Sequence, residues 1–159
     1  PTLEQHRIWF AGDRNDRVDY VAEHRAENRS VGTVNFTDID VADRTAKTGT
    51  LIGDRRDRGR GFGREIKALW MLYGFAELGL RSVDVIIRAD NAAMIGLDSS
   101  LGYRPIGSEL RVIEASKPAV EFVIMRLSTA DLLAERSYSA YDMHGFLERI
   151  QSRWNESGQ

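Results

Sequence analysis

Apolar and polar positions alternate with a period of two through the first third of the chain, then change to helical spacing. Residues 19–25 and 31–36 read as partner strands across the polar turn Ala26-Glu27-Asn28-Arg29-Ser30, and the threonine-rich stretch 45–53 as a third strand. These three predict an antiparallel meander. Beyond residue 62, Ile66, Leu69, Trp70, Tyr73 and Ala76 recur at helical intervals and Gly79 closes the helix. The short, largely apolar run 83–87 predicts a buried parallel strand. Asn91 predicts the N-cap of a second helix, with Ala93, Met94, Leu97 and Leu101 on one face and Gly102 at its end. Two further strands are expected near residues 104–113 and 119–127. Residues 3–10 read as the end of a helix, 13–16 as a turn, and 143–154 as an amphipathic tail helix aligning Met143, Phe146, Leu147, Ile150 and Trp154. A meander feeding a strand–loop–helix–strand–helix unit predicts an α/β fold: a central mixed, mostly antiparallel sheet flanked by helices.

Composition narrows the class. A chain of 159 residues, 42% hydrophobic and 29% charged, fits one soluble globular domain. No apolar run approaches the roughly 18 residues of a spanning helix, and no secretory signal opens the sequence, so no membrane role and a cytoplasmic enzyme are expected. The absence of cysteine excludes disulfide scaffolds and zinc-thiolate sites, and no metal is expected. The net charge of −2 conceals one basic knot, Arg55, Arg56, Arg58, Arg60 and Arg64. A knot this local points to a small phosphorylated ligand; nucleic acid, which needs a long basic groove, is not expected.

The knot surrounds Arg58-Gly59-Arg60-Gly61-Phe62-Gly63, a segment that leaves a strand and enters a helix. The first turn of a helix offers free N–H groups and the positive end of the helix dipole. Glycines let a pyrophosphate approach the backbone where a Cβ would collide, and arginines add charge-assisted hydrogen bonds. Phe62, between two glycines, can anchor the loop to the sheet. Two common phosphate motifs do not fit. A P-loop would end in Gly-Lys-Ser/Thr, whereas Gly63 is followed by Arg64-Glu65. A dinucleotide fingerprint would place glycine where Arg64 stands, after a parallel unit rather than a meander.

The segment resembles the Gln/Arg-x-x-Gly-x-Gly/Ala signature of the GCN5-related N-acetyltransferase (GNAT) family. Residues 91–103, from Asn91 through Leu101-Gly102-Tyr103, are similar to that family's Asn-x-x-Ala/Ser helix ending in Leu-Gly-Phe/Tyr, and residues 44–54 to its fourth strand. The resemblance covers roughly residues 1–128, with 129–159 a C-terminal helical extension, and looks closest to the ribosomal-protein-alanine acetyltransferase branch. It implies parallel strands splayed to admit acetyl-CoA and an amine acceptor, a protein N-terminus or a small molecule, that attacks the thioester directly. Backbone groups of Leu51, Ile52 and Gly53 would pair with the pantetheine arm. The loop Arg58, Gly59, Arg60, Gly61, Phe62, Gly63 and Arg64 would hold the pyrophosphate. Asn91 and the face carrying Ser99 would line the other side.

The acid/base positions depart from the family pattern. Counting back from Tyr103, the tyrosine that many members use to protonate the thiolate is replaced by Asp98, expected to be exposed and ionised and so a poor donor. Ser99, Ser100 or water is then the expected source of that proton, with Tyr103 a weaker candidate because an aromatic there normally packs. The strand-four glutamate base aligns with Lys47, and a lysine serves as a base only with a strongly depressed pKa. Asp38 and Asp40 read first as a solvated turn. Histidine titrates near neutrality, which makes His24 a candidate base, although a lone strand histidine usually has a structural role. An acyl-CoA-binding module without turnover is therefore the alternative function. The family's first strand and helix have no counterpart ahead of residue 3, which implies a truncated front or a partner completing the sheet edge. The tail helix is expected to pack on its own domain, with a homodimer contact as the alternative.

Overall fold

The computed structural model describes residues 16–157, so the helix read at 3–10 lies outside the described residues. Six strands form one sheet: β1 (Val18–His24), β2 (Arg29–Asp40), β3 (Thr45–Ile52), β4 (Ser82–Arg88), β5 (Arg104–Arg111) and β6 (Val120–Ser128), in the order β1-β2-β3-β4-β6-β5. Helix α1 (Phe62–Ala76) links β3 to β4, α2 (Ala92–Ser99) links β4 to β5, and α3 (Thr129–Ala134) and α4 (Phe146–Glu156) follow β6. All pairs are antiparallel except β3 with β4. The meander and the mixed sheet are thus as the residue pattern predicts. The strand at 83–87 is parallel only to β3; towards β6 it is antiparallel, and its burial alternates through Val83, Val85 and Ile87.

The β3–β4 junction decides what the sheet can hold. Parallel pairing is confined to Thr45–Lys47 against Ser82–Asp84. β3 then continues to Ile52 and β4 to Arg88 outside that ladder. A V-shaped opening results, closed at Lys47 and Asp84 and widening towards the start of α1.

Helix α1 supplies the largest share of the core of any single element. Ala68, Met71, Leu72 and Phe75 are buried against Val34, Phe36, Val83 and Leu127. Phe36 stacks on Trp70 with ring centroids 4.4 Å apart. Gly74 makes this approach possible, because a Cβ there would meet Phe36 Cζ at 2.4 Å. The helix ends where Gly79 takes φ 67° and Leu80 N–H donates to the Gly74 carbonyl at 3.2 Å, which buries Leu80. The face spelled out by Ile66, Leu69 and Tyr73 lies half-buried along a separate apolar groove with Tyr20 and His24, while the deepest face is one residue offset from it.

Helix α4 packs back on its own domain: Ile150 is buried, Arg149 pairs with Glu77 at 2.6 Å, and Arg153 donates to the Ala76 carbonyl at 2.6 Å. Asp142 accepts hydrogen bonds from the N–H groups of Phe146 and Leu147 at 2.6 and 3.1 Å, fixing the start of the helix. Among the described residues no helix is long and apolar enough to cross a membrane.

Candidate active site

The V between β3 and β4 opens into a cleft of about 640 Å³ lined by β3, the glycine loop and α2. Eight of the residues that the sequence nominates for coenzyme binding line it: Leu51, Ile52, Arg58, Gly59, Gly61, Gly63, Arg64 and Asn91. Gly53, Arg60, Phe62 and Ser99 stand outside that lining. Thr50, Asp57, Ala93, Met94 and Leu97 line it as well, the last three from the helix face that the sequence predicts.

Strand geometry says which backbone groups are available. The Gly53 N–H donates to the Val31 carbonyl at 3.1 Å, so it is committed to β2. Backbone groups on an antiparallel strand alternate in direction, which turns Thr50 and Ile52 towards the V and Leu51 towards β2. Consistently, the Arg58 guanidinium reaches the Ile52 carbonyl at 3.4 Å. The Thr50 hydroxyl is buried and has no hydrogen-bond partner.

The loop has the shape an anion requires. Gly59 and Gly61 take φ 74° and 89°, and a Cβ built on either meets nothing within 4 Å, so both present bare backbone to open space. α1 begins at Gly61 with no side-chain cap, which leaves first-turn N–H groups for a ligand. Gly63 sits deeper, where a Cβ would touch Leu97 Cδ2 at 3.8 Å and Ile52 Cγ1 at 3.9 Å. An uncapped helix start and bare glycines together fit a phosphorylated ligand.

The arginine knot is mostly spoken for. Arg64 is held by the hydroxyl and carbonyl of Ser100, Arg56 pairs with Asp54 at 2.7 Å, and Arg60 donates to Asp57 at 3.2 Å with its guanidinium 5.0 Å above the Phe62 ring. Asp57 is 1% exposed and accepts two hydrogen bonds from Arg29 of β2, at 2.6 and 2.7 Å. The Arg29 hydrogen bonds hold its carboxyl below the usual carboxylate range.

The proposed proton-transfer residues do not converge. Asp98 is not exposed: it is fully buried, in an ion pair with Lys67 of α1. The last turn of α2 turns residue 98 onto α1, where Lys67 meets it. Burial raises the Asp98 carboxyl pKa and lowers that of Lys67, and Asp98 Oδ2 has no partner. Tyr103 points into the core, 3% exposed, with its hydroxyl on Met71 Sδ at 2.8 Å, and burial raises its pKa. The hydroxyl faces the core and not the cleft lined by β3, the glycine loop and α2. Ser99 is exposed beyond the cleft lining. His24 lies in the separate groove, its ring 5.1 Å from Phe62 and its Nδ1 3.4 Å from Glu27. Lys47 pairs with Asp38 at 2.7 Å, Asp38 holding φ 50° in an irregular stretch of β2, and Asp40 accepts from the Asp43 N–H at 2.9 Å.

Comparisons with known proteins agree with this geometry. Residues 1–104 match the family model for the acetyltransferase (GNAT) domain. A search of curated proteins gives no match. Among solved structures, spermidine N-acetyltransferase from Vibrio cholerae in complex with CoA and spermine superposes with a TM-score of 0.72 at 21% identity, covering 82% of this chain and 76% of that one. Its dodecameric form in an intermediate state gives 0.67 at 19% identity, covering 79% and 71%. At these identities the likeness speaks for the fold. The family model spans well over half of the sequence, and the chain belongs to the GNAT acetyltransferase family, whose acyl donor is acetyl-CoA.

Proposed function

We propose that this protein transfers the acetyl group of acetyl-CoA to a primary amine by direct attack on the thioester. The observation that carries the reading is the V between β3 and β4, which ends at an uncapped helix start wrapped in bare glycines. Pyrophosphate at the first turn of α1 would accept hydrogen bonds from the loop amides, with Arg58 beside it. The pantetheine arm would then run along Thr50 and Ile52, whose backbone groups face the opening. Its acyl end falls at the closed end of the V, near Thr48 and Gly49. There an amine that has lost its proton attacks the carbonyl carbon, and the carbon–sulfur bond breaks. The nitrogen gives its extra proton to water and the sulfur takes one from water, because Asp98 and Tyr103 are turned into the core.

A protein N-terminus and a small-molecule amine both remain acceptor classes, the first suggested by resemblance to the ribosomal-protein-alanine branch. The spermine bound by the Vibrio cholerae enzyme makes polyamines a small-molecule set worth screening.

Gly63 gives the cleanest probe of the cleft. Gly61, at φ 89°, cannot take a side chain without strain, whereas a Cβ at Gly63 meets only ordinary contacts. Gly63→Leu would fill the floor between Ile52 and Leu97. Its CoA dissociation constant by calorimetry should rise at least about tenfold, roughly 1.4 kcal/mol, with the melting temperature little changed. Unchanged CoA affinity in this variant would sink the reading. Thiol release in an acceptor screen tests turnover, and CoA binding with no release for any amine would instead favour the module without turnover.

A further inference from the structure

Asp57 is an anomaly in the proposed coenzyme cleft. It is a carboxylate in the wall of a cleft meant for polyanionic phosphates, and it is almost completely buried. An ionised carboxylate in that place repels the ligand unless another charge cancels it. Arg29, from the start of β2, does so with a two-pronged contact at 2.6 and 2.7 Å, satisfying both carboxylate oxygens. Arg29 is itself held by Glu27 at 2.5 Å in the β1–β2 turn. Arg60 completes the cluster, 3.2 Å from Asp57 and 3.9 Å from Glu27.

The contact also has a mechanical side. Asp57 closes the short 3-10 turn Arg55–Asp57 that leads into the glycine loop, a turn capped by the Asp54 side chain on the Arg56 N–H. Arg29 therefore bolts the start of the loop to β2, a strand of the rigid sheet. The glycines downstream have no side chains to hold their own conformation, so the loop depends on its fixed ends.

Resting on the acetyl-CoA reading above, we propose that Arg29 is a positioning residue for the coenzyme: it cancels the Asp57 charge and fixes the pyrophosphate loop without touching the ligand. Removing Arg29 strips away the two-pronged contact and leaves a buried carboxylate facing the phosphates, offset only in part by the longer Arg60 contact. That state is sensitive to pH, because protonating Asp57 removes the repulsion. The charged groups facing Asp57 are Arg29, Arg60 and Arg56, with Glu27 behind Arg29. In the native protein Asp57 stays ionised and balanced through the neutral range.

The test compares CoA binding by calorimetry in the wild type, Arg29→Gln, Arg29→Lys and Arg29→Gln/Asp57→Asn, with acetyl-CoA kinetics alongside. Arg29→Gln should weaken CoA binding about tenfold or more near neutral pH, with the loss in KM for acetyl-CoA rather than in kcat. Relative to wild type, that loss should shrink as pH falls towards the carboxylate range. It should also shrink in the double variant, which removes the stranded charge. Arg29→Lys, which keeps the charge without the fork, should lose less and show no added pH dependence; it carries the test if Arg29→Gln does not fold. Wild-type CoA affinity in Arg29→Gln, a double variant as weak as the single, or a loss independent of pH would each overturn the proposal. Failure of the wild type itself to bind CoA would instead overturn the acetyl-CoA reading.

Discussion

Two buried carboxylates, Asp57 and Asp98, show how differently one side chain can be used in the same fold. Asp57 sits where the chain enters the glycine loop, with both oxygens satisfied by a guanidinium fork and its pKa held down by Arg29. Asp98 sits between α1 and α2, with a single ammonium partner, one orphaned oxygen and a pKa raised by burial. The first pair is planar, complementary and at the edge of a ligand cleft. The second is a single ammonium on one carboxylate oxygen, buried in the core. The arginine pair serves binding, and the lysine pair locks two helices to each other at a large desolvation cost.

That contrast breaks most visibly at Lys67. Lys67→Met should destabilise the fold by about 3–5 kcal/mol, since it leaves the Asp98 charge buried and alone. Lys67→Met with Asp98→Leu should recover most of that loss, because a well-packed apolar pair avoids desolvating two ions. Urea denaturation midpoints decide it; a double variant no more stable than the single would mean that an apolar pair cannot replace the ion pair between α1 and α2.

A smaller effect is expected where α1 meets the sheet without any charge. Gly74→Ala should destabilise by about 1–2 kcal/mol, as overpacking against Phe36 outweighs the helix propensity gained. A rise in melting temperature for this variant would show that Phe36 moves aside freely.

The smallest effect sharpens the comparison by its sign. The folded pKa of Asp57 is depressed, so its contribution is present above the ordinary carboxylate pKa and is lost as pH falls through the lower, folded value. The folded pKa of Asp98 is raised, so its contribution is full below the ordinary value and is lost as pH rises through the higher one. Stability followed by urea midpoint down the acid range should therefore fall less in Asp57→Asn than in wild type, and more in Asp98→Asn. Parallel slopes in both variants would contradict this assignment of the two environments.

Much of the fold can be read along the chain because its signals are local. Strand alternation, the Asn91 cap and the turn at Gly79 each depend on neighbours a few residues away, and the elements stand close to where those signals put them. α3 gives a weaker signal: Thr129–Ala134 is a short helix capped by the Ser128 hydroxyl on the Asp131 N–H at 3.2 Å. The glycine loop was equally legible, since the requirement for bare backbone at Gly59 and Gly61 is written in residue type. Asp98 was not. Counted back from Tyr103 it reads as an exposed, ionised carboxylate, and only the crossing of α1 supplied Lys67, 31 residues distant in sequence, to meet it.

By itself, then, the sequence determined the elements, the glycine loop and the family resemblance, because backbone freedom and short-range periodicity are properties of neighbouring residues. Tertiary structure alone decided where the β3–β4 ladder stops, which charges cancel, and which way Tyr103, Asp98 and His24 face. Those depend on contacts between residues far apart in the chain, and a carboxylate carries no local mark of the cation that will neutralise it.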